Sequence, residues 1–274
     1  MDHQSGKLLI AHDNALGTGT LTLGSGTTIE SDGGPRNISN PVVVTSLTTI
    51  GGSNDLTLVG PLTMNLASAL LKSNTVALTI AGPQTHASGA TISVNDGTVN
   101  FNSSASGATL GVNLSNAGTL VNFNADQDLN TLVVNGGRVS VGDATRLGAS
   151  SLGLGAAAVL ELEISGLTAG SEFAQLVVSG NVALAGGLEI TLTNGFSPTA
   201  GNSFDILGWG SISGMFFDGN ASPASGGPHL GRLAALHHGC SVSRRPIHIL
   251  RRLRPRRRLG RPGLSRVAGR LRRE

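Results

Sequence analysis

Glu161 and Glu163 are the residues whose type and spacing come nearest to chemistry. They sit two apart in the alternating run Leu160-Glu161-Leu162-Glu163-Ile164. On a strand, period two puts both carboxylates on one face and the three aliphatics on the other. Two acids about 5–10 Å apart are what a glycosidase uses. A solvated strand face is the expected reading, because catalytic acids face each other across a cleft. Sugar-stacking aromatics are also scarce, with no Tyr and one Trp, Trp209.

Other candidates dissolve in the same way. Asp126 and Asp128, in Asn124-Ala125-Asp126-Gln127-Asp128, have the oxygen chemistry to ligate calcium from a turn. A polar loop with local side-chain bonds is the expectation. Asp96 and Asp143 precede or follow Gly and read as turn residues. His3, His12 and His86 are scattered and unpaired. No HExxH, CxxC or Ser-His-Asp spacing exists, and the Gly-rich pieces lack the Lys of a phosphate loop. No catalytic, cofactor-binding or metal-ligating set is expected.

The elements that carry these residues are short strands. The 274 residues include 40 Gly, 3% aromatics and 13% charged residues. A core of aliphatics and small residues suits a narrow, layered β structure better than an enzyme with a deep pocket. The run from Leu176 to Phe196 alternates apolar with small or polar residues, breaks at Gly, and alternates again, as short strands with glycine turns do. Looser copies start at Leu56, Leu78 and Leu132. Asn95-Asp96-Gly97 marks a tight turn between strands Thr91–Val94 and Thr98–Phe101. A strand is expected over residues 65–71 and another over Phe204–Leu207.

A repeat near 22 residues relates Leu58 to Ile80 and Phe101 to Phe123, with twice that from Val134 to Val178. That length suits one coil of a parallel β-helix with three short strands per rung. The fold expected is all-β: a right-handed parallel β-helix over residues 1–147, a β module at 148–217 that continues or caps it, and a disordered basic tail at 218–274.

Charge divides the chain at the same place. Up to Asp218 there are 5 Lys+Arg against 15 Asp+Glu; beyond it there are 14 Arg against one Glu. The only cysteine, Cys240, lies in the second part, so disulfides and Cys-ligated metals are excluded from the first. No apolar run approaches the roughly 20 residues of a membrane helix, and Met1–Asn14 has no apolar core of an export signal.

The stretches Gly17–Val42 and Gly51–Leu62 resemble the autotransporter-associated β-strand repeat. Leu160–Leu207 resembles the stalk-end module of planctomycete-type secreted β-helical surface proteins. The resemblance covers about residues 5–217 and implies a long extracellular passenger, structural or adhesive, with no catalytic residues to transfer. Its surface ligand, a polysaccharide or a protein, is left open, as is whether the chain stands as a monomer or within a longer stalk. Such proteins often end in a calcium-binding dockerin-like repeat. Read one base later, permitted codons turn Arg251–Arg273 into a DxDxDGDxDxxD loop of that kind. The tail is therefore read as out of frame, and calcium is expected only if the frame is restored. Two alternatives stand beside the adhesive reading. One is a carbohydrate-active β-helix enzyme, a polysaccharide lyase or hydrolase. The other is nonspecific polyanion binding through the Arg-rich tail, without specific nucleic-acid recognition.

Overall fold

A computed structural model describes residues 1–217. The chain winds as a parallel β-solenoid of about eight turns, all-β, with no helix among the described residues. No helix there is long and apolar enough to cross a membrane. The proposed disorder and frame of residues 218–274, with Cys240, lie outside the described residues.

Each early coil lays one short strand on each of three faces. The first face stacks Leu21–Leu23, Val42–Val44, Leu62–Met64 and Gln84–His86. The second stacks Thr27–Ser31, Leu47–Ile50, Ala69–Lys72 and Thr91–Val94. The third stacks Arg36–Ile38, Leu56–Leu58, Ala77–Ile80, Thr98–Phe101 and Leu120–Phe123. All of these pairings are parallel. Coils stack at the parallel-sheet spacing of about 4.8 Å, so eight of them span roughly 40 Å.

Alternation explains the packing. On the third face Leu56, Leu58, Leu78, Ile80, Val99, Phe101, Val121 and Phe123 point inward and are buried. Thr57, Thr79, Asn100 and Asn122 occupy the outward position between them. Outward polar groups bond along the axis: Asn122 Nδ2 donates to Asn100 Oδ1 at 2.7 Å, and Asn100 Nδ2 donates to Thr79 Oγ1 at 3.1 Å. Inside, the Phe101 and Phe123 rings stack with centroids 5.0 Å apart. No coil can bury its inward face alone, so neighbouring coils stabilise one another.

The 22-residue spacing is confirmed at Leu58 and Ile80 and at Phe101 and Phe123, which are register partners. It fails at Val134 and Val178. Val134 pairs Leu154, and Leu154 pairs Leu184, whereas Val178 pairs Ala149 on another face. The coil changes length there. Early cross-coil bonds join residues 21 to 24 apart, and the last ones join residues 30 or 31 apart.

Leu176–Phe196 covers the strands of a single coil: Gln175–Val178, Asn181–Leu184 and Gly187–Leu192, one per face. Its glycine turns are solenoid corners. Asn95-Asp96-Gly97 is also a turn, but the strands it joins pair with the coils above and below, not with each other. Asn65–Ser68 forms a corner with Ala67 at φ 54, so the strand starts only at Ala69. The expected strand over Phe204–Leu207 is reduced to Leu207–Gly208, and a last strand, Ser211–Gly214, pairs with Asn181–Leu184. Two strands are much longer than any expected, Gln127–Val141 and Arg146–Ile164. Each runs around corners, and they pair in parallel from Gln127–Leu147 to Val141–Leu162, with one register shift between Val134 and Gly136.

Candidate functional site

The extra length of the last coils is inserted at one corner, between the third and first faces. In the coil below, that corner is the short turn Gly142–Thr145, closed by the Thr145 N–H donating to Gly142 O. In the next coil it grows to residues 165–174, and in the last to residues 193–206. Insertions that stack on one side of a repeat protein are where binding surfaces are usually built.

Both loops are internally tied. In the first, the Glu172 carboxylate accepts the N–H groups of Leu167 and Thr168, each at 2.9 Å. The Thr168 side-chain bond, then the backbone bonds, hold Glu172 below the usual carboxylate range. In the second, Asn202 Oδ1 accepts from Thr199 N at 2.7 Å. Three rings join the loops. Phe173 meets Phe204 edge-on at 5.4 Å, and Phe196 meets Phe204 at 6.2 Å. Edge-to-face pairs at such distances are favourable.

Beside the loops runs the acidic strand face. Glu161 and Glu163 do point outward, with Leu160, Leu162 and Ile164 buried. Their partners give Glu161 a structural occupation. Arg138 Nη1 lies 3.1 Å from Glu161 Oε2 and 2.5 Å from Glu189 Oε2. The three residues stand on successive coils, and Thr191 Oγ1 donates to the other Glu161 oxygen at 2.6 Å. The hydrogen bond to Glu189 is the largest influence keeping Arg138 charged. Glu163 differs. Burial pushes its carboxyl up; an N–H bond from Asp143 opposes this, and the Asp143 and Glu161 charges add to it.

Asp143 holds the second loop from two coils away. Its Oδ2 accepts Thr193 Oγ1 and Asn194 Nδ2, both at 3.1 Å. The sequence reading made it a turn residue and missed this, since its partners are 50 and 51 residues on. Asp126 and Asp128 are likewise fasteners. Asp126 Oδ1 accepts the Arg146 N–H at 2.7 Å, and Asp128 Oδ1 accepts Arg146 Nη1 at 3.0 Å. Asp96 Oδ1 accepts the Gly97 N–H, as a turn residue does.

The three histidines stay apart. His3 Nε2 lies 3.1 Å from Gly6 O, and His12 Nδ1 accepts Asn14 N. His86 is inside the first face, where burial pushes it down to about 4. Among the described residues no three of His, Cys, Asp and Glu converge to hold a metal ion.

A group missed by sequence reasoning is Lys72. It is fully buried at an inward position between Ile50 and Val94. Its ammonium donates to Asn74 O and, at 3.2 Å, to Asp96 O. Desolvation lowers it to about 8 against the pull of Asp96 and Asp55. The signal was present: a lone Lys ends Ala69–Lys72 where the neighbouring coils place Ile or Val.

No family model, curated protein or solved structure matches the chain.

Proposed function

We propose that this chain is a noncatalytic structural or adhesive segment of a secreted bacterial surface protein, built as a rigid spacer that presents the stacked loops at 165–174 and 193–206. The observation that supports this is how the polar residues are used. Of the candidates for acid chemistry or cation binding, Glu161, Asp126 and Asp128, and with them Asp143, are each bonded to Arg138, Arg146, Thr191, Thr193 or Asn194 on other coils, while Glu163 takes the Asp143 N–H. Groups spent on cross-coil fastening are unavailable for turnover and well suited to a load-bearing rod. The ligand is a surface polysaccharide or protein met by the loop corner.

Immobilised full-length chain should capture particular polysaccharides or surface proteins from a defined panel. Capture should fall when loop residues Leu167, Ser197 and Thr199 are changed together, and the bound polysaccharide should come off uncleaved. Release of shortened or unsaturated sugar products, abolished by Glu163→Gln, would replace this reading with the carbohydrate-active enzyme.

A further inference from the structure

The three faces do not continue alike along the axis. On the second face Thr91–Val94 pairs Gly111–Leu114, and on the third Thr98–Phe101 pairs Leu120–Phe123, both in unbroken register. On the first face Gln84–His86 pairs Leu62–Met64 below it and, among the described residues, no strand above it. The five-stranded sheet of that face ends there. Pairing on this face resumes one coil later, where Ala105 meets Gln127 and Leu110 meets Leu129.

Those two contacts enclose different lengths of chain. Ala105 to Leu110 is five residues and Gln127 to Leu129 is two, so the lower coil carries three residues that its neighbour lacks. They bulge outward: Ser106, Gly107 and Ala108 are exposed, and Gly107 and Ala108 take φ 109 and 50. A bulge of this kind breaks the ladder and bends the strand. Side chains do part of the ladder's work here. Thr109 Oγ1 donates to His86 O at 2.6 Å, and Gln84 Nε2 and Gln127 Nε2 donate to Ser103 O at 2.7 and 2.5 Å. Gln84 and His86 stand above Leu62 and Met64, and Gln127 below Leu147, so the apolar column is interrupted at the same level.

The other two faces cross this level intact. The Gly111 N–H donates to Ala90 O at 2.8 Å on the second face, and the Asn124 N–H to Phe101 O at 2.9 Å on the third. The stacked rings of Phe101 and Phe123 span it from inside.

We infer that this level is a joint: the solenoid bends by opening its first face, with the second and third faces as the hinge. A repeat rod is as stiff as the contacts between neighbouring coils, and this pair of coils has lost one ladder of three. Residues 106–108 supply the slack that lets the first face lengthen. The backbone bonds of Gly111 and Asn124 and the ring stack keep the two arms from parting. The spacer proposed above is then stiff within each arm and turns at one place. The joint follows from the strand pairing alone and holds whatever the loops bind.

Hydrogen exchange of the full-length chain, read amide by amide, separates the faces. The Ala105 amide, which donates to Asp126 O at 3.0 Å, reports the seam. It should exchange by local opening and be at least about tenfold less protected than Leu62 and Leu176, on intact parts of the first face, and than Gly111 and Asn124. Deleting residues 106–108 makes the two spacings equal and should raise Ala105 to the protection of Leu62. Nitroxide pairs read the bending itself, with Cys240→Ser so that only the labels react. Labels on Val43→Cys and Val177→Cys, outward on the first face, should give a broad distance distribution. Labels on Thr49→Cys and Ala183→Cys, outward on the second, should give a narrow one. Equal protection of Ala105 and Leu62, or equal widths for the two label pairs, overturns the joint. So does exchange of Gly111 and Asn124 as fast as that of Ala105, which would mean that the arms part. If the deletion does not fold, the amides of the unaltered chain and the label widths decide the matter.

Discussion

Lys72 gives the sharpest test of the coil register, because removing its charge should change how stability depends on pH. The side chain is fully buried, and its ammonium is lowered from 10.5 to about 8, chiefly by desolvation. Below about pH 8 both folded and unfolded chains hold the proton, and the folded state bears the whole burial penalty. Between about 8 and 10.5 only the unfolded chain holds it. The unfolded state then binds more protons, so stability rises with pH, by at most about 1.4 kcal/mol per pH unit. The total gain is at most about 3 kcal/mol. Lys72→Met keeps the apolar stem and should abolish the rise. At neutral pH the variant loses a donor to Asn74 O and Asp96 O, about 1–3 kcal/mol, and escapes a penalty of similar size, so its midpoint there should change little. The assay is urea unfolding of the full-length chain at pH 7 to 10.5, followed by circular dichroism. The chain has no Tyr, and the variant shares every other titrating group, so the difference of slopes isolates Lys72. Parallel pH profiles for the two proteins would refute the buried placement.

Four further outcomes follow from named contacts. Phe101→Ala and Phe123→Ala, at fully buried stacked rings, should each destabilise by about 3–5 kcal/mol in chemical unfolding; a double-mutant cycle should show coupling of about 0.5–1.5 kcal/mol. Gly97→Ala should cost at least about 2 kcal/mol in the same assay, since φ is +67 and a Cβ would press on Asn74 O, Val76 O and Lys72 Nζ. Arg138→Met should cost about 1 kcal/mol, with the loss shrinking in high salt, because Glu161 and Glu189 then face each other unpaired. Glu163→Gln should raise the unfolding midpoint at neutral pH. The folded carboxyl is held up by burial, so stability falls as pH rises through its titration, and the amide escapes that loss.

Most of the architecture was legible because it is local and repeated. Alternation fixed which side of Leu160–Ile164 faces in, and the Phe101–Phe123 spacing fixed the coil length. What failed was whatever depends on the neighbouring coil. Val134 and Val178 matched in residue type but not in register, since insertion at a corner shifts the count without altering the strand pattern. The Asn95-Asp96-Gly97 turn has the same chemistry in a hairpin and in a solenoid corner, so the sequence shows the turn and not the pairing. Asp143 and Arg138 act on residues about 50 positions away, beyond any spacing rule. Gln84, His86 and Gln127 were readable only as polar residues until the register showed that Gln84 and Gln127 stand in the column of Leu62 and Leu147, and His86 in that of Met64.

The lengthened corner explains how the solenoid acquires loops without losing its sheet. Between the first and second faces the late coil turns through Ser179 and Gly180, and between the second and third through Ala185 and Gly186. Those corners stay short. Every additional residue therefore falls between Ile164 and Gln175, or between Leu192 and Leu207, and inward positions such as Leu152 with Val182 or Leu160 with Leu188 keep their register. Loop length costs entropy only slowly, and the Phe173–Phe204–Phe196 cluster and the hydrogen bonds to the Glu172 carboxylate offset it. A repeat scaffold built this way can vary one corner while three faces keep their strand pairing. That separation leaves the strand-borne carboxylates free to serve as fasteners and puts the added residues in the loops beside them.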